Sequence, residues 1–111
     1  MIPIATGIGV STAANTTADV SVSKSYEFLG KGRLMLVARG SATGMQVSLF
    51  VGGVQLAKAS PLFRAGTAGT LDMSTDIVID QKIQGGRVEF QLINSTGGAL
   101  TTDYYLGFEP Q

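Results

Sequence analysis

From residue 20 onward, apolar residues recur at every second position in short runs, the period of a half-buried β-strand. Val20, Val22, Tyr26 and Phe28 share one parity, interrupted by Lys24. Leu34, Leu36 and Ala38 alternate with Met35, Val37 and Arg39, a run apolar on both faces that predicts a central strand. Met45, Val47, Leu49 and Val51 oppose Gln46, Ser48 and Phe50, and Val54 and Leu56 follow. Leu71, Met73, Ile77 and Ile79 stand against Asp72, Ser74, Asp76 and Asp80. Val88, Phe90 and Leu92 oppose Glu89 and Gln91, and Leu100, Tyr104, Leu106 and Phe108 oppose Asp103, Tyr105 and Glu109. Seven or eight short strands are expected.

Glycine clusters separate these runs, among them Gly30-Lys31-Gly32, Gly85-Gly86 and Gly97-Gly98, where tight turns need positive φ. Gly52-Gly53 predicts a two-residue hairpin joining 45–51 to 54–59. Turns every 8–12 residues favour a single antiparallel β-sandwich or barrel over a βαβ fold. A short helical turn fits only within 65–75. Residues 1–19 carry no charge before Asp19 and are rich in Ala, Thr, Ser and Gly. They are expected to form an extended N-terminal arm that docks, partly as a strand, on its own domain or on a neighbour, with the sandwich spanning 20–111. Ile2, Ile4, Ile8 and Val10 are the arm's docking side chains.

Composition narrows the function. The chain has 111 residues, no His, Cys or Trp, and only 14% charged residues, against roughly 25% in an ordinary soluble domain. A short chain keeps its polar groups outside, so scarce charge points to surface covered by other molecules. Eight basic residues balance eight acidic ones and are scattered, which disfavours direct nucleic-acid or membrane binding by charge. Without His or Cys no conventional Ser-His-acid or Cys-His constellation forms, and the commonest metal ligands are missing. No enzyme activity and no cofactor are expected. The leading residues lack the positive start of a signal peptide, and no run reaches transmembrane length.

Few residues remain as candidates for chemistry. Asp72, Asp76 and Asp80 are expected along the solvent face of one strand, about 7 Å apart per two residues and too far apart to chelate one ion. Ser23-Lys24-Ser25 would point to opposite strand faces. Asn15-Thr16-Thr17 and Asn94-Ser95-Thr96 match the N-glycosylation sequon, although turn chemistry explains both, with Asn94 capping the Gly97-Gly98 loop. Of Tyr104-Tyr105, one ring must enter the core and the other face outward. Tyr105 and Phe50 are expected on the outward face, as interface rings or beneath loops of the chain itself.

The uncharged apolar leading segment and the Gly-punctuated strands, including Gly86-Arg87-Val88-Glu89-Phe90-Gln91-Leu92-Ile93-Asn94 and Tyr104-Tyr105-Leu106-Gly107-Phe108-Glu109-Pro110, resemble a known class. Over most of 20–111 the pattern is similar to the small β-sandwich or jelly-roll proteins that form or decorate the capsids of viruses and bacteriophages. The resemblance implies a jelly-roll-like sandwich, self-association around symmetry axes, an arm reaching a neighbour, other virion proteins as partners, and a place in the virion after synthesis in a host cytoplasm. The neutral charge departs from genome-binding coat proteins and favours a decorating or minor structural role. The interface is expected at Ile2, Ile4, Ile8, Val10, Phe50 and Tyr105. The competing expectation is a carbohydrate- or receptor-binding module, with Tyr105, Asp103 and the loop Asn94 to Gly98 as its platform.

Overall fold

The computed structural model describes residues 2–20, 28–41, 44–61 and 76–110, with 57–61 described as backbone. Nine strands are present: β1 (Ile2–Thr12), β2 (Thr16–Val20), β3 (Phe28–Leu29), β4 (Gly32–Gly40), β5 (Met45–Val51), β6 (Val54–Pro61), β7 (Ile77–Ile83), β8 (Gly86–Asn94) and β9 (Leu100–Pro110). They form two antiparallel sheets, ordered β1-β9-β4-β7 and β2-β8-β5-β6, with β3 also pairing β8. The pairings nest: β5 with β6, β4 with β7, β2 and β3 with β8, and β1 with β9. The innermost turn is Gly52-Gly53, with φ of 60° and 80°, the conformation that a two-residue hairpin following the strand twist requires. The chain is thus one long ribbon folded over on itself.

The core follows the period-two pattern. Leu34, Leu36 and Ala38 of β4 and Leu106 and Phe108 of β9 meet Met45, Val47 and Leu49 of β5 and Phe90 and Leu92 of β8, all buried. Tyr104 joins them, its ring edge-on to Phe90 of the facing sheet at 5.4 Å and 85°, the arrangement favoured by ring quadrupoles. As expected, β4 lies between two neighbours, and on its second face Val37, opposite Ile77 and Tyr105, is also buried.

Burial raises the Tyr104 pKa above the ordinary tyrosine value. The neutral ring is therefore favoured in the fold, and the unfolded chain releases its proton first as pH rises. Stability is unaffected below the ordinary tyrosine pKa and falls between that value and the raised one. Thermal melts of Tyr104→Phe should lack this alkaline loss while those of the parent chain show it.

Residues 2–20, expected to dock partly as a strand on their own domain or on a neighbour, pair within both sheets, β1 with β9 along its length and β2 with β8. Two expectations need correction. Asp76 is not on a solvent face. Leu36 pairs Ile79 whereas Val37 pairs Ile77, so Val78 is an extra residue. That bulge reverses the alternation between Asp80, which is exposed, and Asp76, which is buried. Phe28 does not share the inward side of Val20. Val20 lies opposite Phe90 and Phe28 opposite Arg87, so β8 advances three residues while the chain advances eight, and the parity is lost. The expectations for Val22, Lys24, Tyr26, Leu71, Asp72, Met73 and the helical turn within 65–75 lie outside the described residues.

Candidate functional site

Each sheet leaves two strand edges. Those of β1 and β2 run together along one flank of the molecule, and those of β6 and β7 along the other. Four large apolar side chains are exposed among the described residues: Ile8 by 75%, Phe28 by 70%, Val54 by 62% and Ile77 by 40%. Ile8 sits on the first flank and Val54 and Ile77 on the second. Phe28 lies on β3, near the Gly52-Gly53 end.

Ile8 owes its exposure to backbone geometry. Gly7 pairs Tyr104 and Val10 pairs Thr102, so Ile8 and Gly9 together oppose the single residue Asp103. Gly9 adopts a φ of 63°, and its N–H donates to the Asp103 carboxylate at 2.8 Å. The bulge is therefore pinned by a side chain: Ile8 keeps the outward parity of the exposed Thr6, and the extra residue brings Val10, opposite the buried Thr102, back toward the core. Asp103 is itself buried and lies directly opposite Arg39 on β4. The Arg39 Nε stands 3.9 Å from Asp76 Oδ2, both side chains nearly enclosed. Buried charges persist only where opposite charges and hydrogen bonds hold them. Asp19 lies on the neighbouring β2 edge, exposed and accepting the Gln91 amide at 2.9 Å.

On the second flank a cleft of about 140 Å³ opens between the sheets, lined by Val51, Val54 and Leu56 on one side and Gln81 to Gly85, including Ile83, on the other. Arg33 of β4 grips Asp80 with two hydrogen bonds of 2.6 and 2.5 Å, which holds the Asp80 carboxyl below its ordinary pKa. Lys82 is exposed at the cleft and makes no ion pair among the described residues.

The expected interface residues therefore separate. Ile8 projects freely, whereas Ile4 is 3% exposed and packs in the chain's own core, so any docking it does is within its own domain. Ile2 and Val10 lean on the same core, half-buried. Phe50 and Tyr105 are both half-buried. Phe50 lies across from Gln55 and Glu89 on one sheet, and Tyr105 across from Thr6 and Val37 on the other. The two rings do not form one patch. Of the residues expected for the alternative platform, Asp103 is buried and accepts from the Gly9 N–H, and Tyr105 lies five residues beyond Leu100, where β9 begins, roughly 17 Å along an extended strand. Among the described residues no three acidic side chains converge as a metal site.

Sequence reasoning missed Val54, Phe28, Asp19 and Lys82. The Gly-Ile-Gly triplet at 7–9 was a legible sign of a bulge, but only the strand order reveals which side chains border an edge. No family model, curated protein sequence or solved structure matches the chain.

Proposed function

We propose that this protein is a structural subunit that works by self-association, a component of a virion that forms, decorates or completes a capsid, and that its strands follow jelly-roll connectivity. The observation that carries the reading is the exposure of Ile8 and Val54 on rigid backbone. One stands on a pinned bulge and the other beside a two-residue turn, in a chain with 14% charged residues. Exposed apolar side chains gain free energy when a partner covers them, about 25 cal/mol per Å² of apolar area.

The nested strand order supports the connectivity. A folded-over ribbon that closes into sheets β1-β9-β4-β7 and β2-β8-β5-β6 is compatible with the two-sheet roll found in viral capsid and lectin domains. The partners in this reading are further copies of the chain and other virion proteins. It involves no catalytic step, no cofactor, and no direct contact with nucleic acid or membrane. Light scattering over a concentration series tests it: a mass of several chains that grows with concentration is expected, and a constant monomer mass would refute self-association.

A further inference from the structure

We infer that the two flanks are the two halves of one heterologous contact, in which Ile8 of one copy enters the cleft lined by Val51, Val54, Leu56 and Ile83 of the next. The inference rests on the self-association reading and names the surfaces it would use. The occupant of the cleft is a second copy of this chain for three reasons.

The first is size. A cleft of about 140 Å³ has room for the four side-chain carbons of an isoleucine, and Ile8 is the most exposed large apolar residue among those described. The second is charge. The first flank presents Asp19, which accepts from the neutral Gln91 amide, beside the uncharged β1, and the second presents Lys82, with Asp80 already neutralised by Arg33. When flank meets flank in the order first to second, Asp19 faces a cation-bearing edge. When like flanks meet, Asp19 faces Asp19 and Lys82 faces Lys82. The third is the state of the β1 edge. Two bulges, at Pro3–Ala5 and Gly7–Val10, interrupt its ladder, a known device against strand addition. The edge therefore offers a single knob in place of a pairing strand.

A knob and a hole on opposite flanks join copies head to tail. Such contacts close into a ring where the rotation permits and continue as an open array where it does not. The Asp103 carboxylate, by accepting from the Gly9 N–H, holds the bulge that carries Ile8.

The test uses the full chain and two variants at exposed positions, Ile8→Asp and Val54→Asp, with circular dichroism as the check on folding. Each variant lacks one half of the contact, so each is expected to be monomeric by light scattering, with association weakened about 100-fold or more. Mixed in equal amounts they should form a dimer and nothing larger. The intact cleft of one chain accepts the intact Ile8 of the other, and both remaining halves are blocked. The double variant Asp19→Lys with Lys82→Asp should assemble more tightly than either single change. If an aspartate variant fails to fold, Ile8→Ser and Val54→Ser are read for the same pattern. Variants that assemble like the parent chain, a mixture that stays monomeric, or loss of assembly in Ile8→Asp alone would each overturn the inference while leaving self-association intact. A parent chain that is monomeric throughout would instead remove the reading on which it rests.

Discussion

Gly86→Ala is expected to unfold the protein or bring it to the edge of unfolding. Gly86 begins β8 with a φ of 133°, a backbone conformation that residues with a Cβ adopt at a cost of about 1–3 kcal/mol. Strain is the smaller part. A Cβ placed there would lie 2.4 Å from the Gly52 Cα and 2.7 Å from the Gly52 N, so the obstacle is backbone and cannot rotate away. The turn at the end of β5 would have to separate from β8, disturbing the bond from the Gly52 N–H to the Arg87 carbonyl at 2.9 Å and the alignment of Val51 with Val88. A loss of about 4 kcal/mol or more is expected, against the 5–15 kcal/mol that holds an ordinary domain together. Gly53→Ala is the control. Its φ is 80°, but nothing lies within 4 Å of the added carbon, so only the conformational cost of about 1 kcal/mol remains. Urea denaturation of the two variants should therefore differ severalfold in effect. Similar midpoints would mean that the two turns are not packed as described.

Asn94→Ala is the second large loss, about 3 kcal/mol by the same measurement. The Asn94 side chain is 1% exposed and has all its main capacities in use. Its Nδ2 donates to the Thr12 carbonyl at 3.0 Å and the Gly98 carbonyl at 2.8 Å, and its Oδ1 accepts from the Thr96 N–H at 2.9 Å and the Thr96 hydroxyl at 2.6 Å. The amide ties the end of β1 to the β8–β9 loop, and that loop binds the β1–β2 turn through Asn15 N–H to the Thr96 carbonyl at 3.1 Å. Alanine leaves a buried carbonyl and loop groups without partners, each worth about 1–3 kcal/mol when unsatisfied. Asn94→Asp keeps the acceptor but loses the donors and buries a charge, so at neutral pH it should fare no better than alanine. A midpoint for Asn94→Ala close to that of the parent chain would show that the loop holds itself by other means. The same geometry disposes of one sequon, because an amide with both hydrogens donated inside the fold is not presented for glycosylation.

The two results probe opposite ends of the sandwich, and the sequence announced them unequally. Asn94 beside Gly97-Gly98 was legible as a loop cap, since Asn, Ser, Thr and Gly after a strand is turn chemistry that depends on neighbours in the chain. Gly86 was legible as a turn residue, but its close approach to Gly52 was not, because thirty-four positions separate them and only the pairing of β8 with β5 brings them together. The candidate site divides in the same way. Ile8 stood out as an apolar residue in an uncharged segment. Ile4 carried the same signal and proved to be core, since one bulge between Pro3 and Ala5 and another between Gly7 and Val10 set which residues face in. Asp76 and Asp80 looked equivalent until Val78 bulged between them.

By itself the sequence determined the β class, the inward residues of β4, β5, β8 and β9, and the hairpin at Gly52-Gly53. Alternation and turn chemistry are local, and a strand of regular pleat carries its parity from one residue to the next. The tertiary structure alone decided which strands stand at edges, where the bulges reverse parity, and that Asp103 reaches across to Gly9 and pins the bulge beside Ile8. Those features arise from pairings between residues far apart in the chain, whose register is set by the whole packed core.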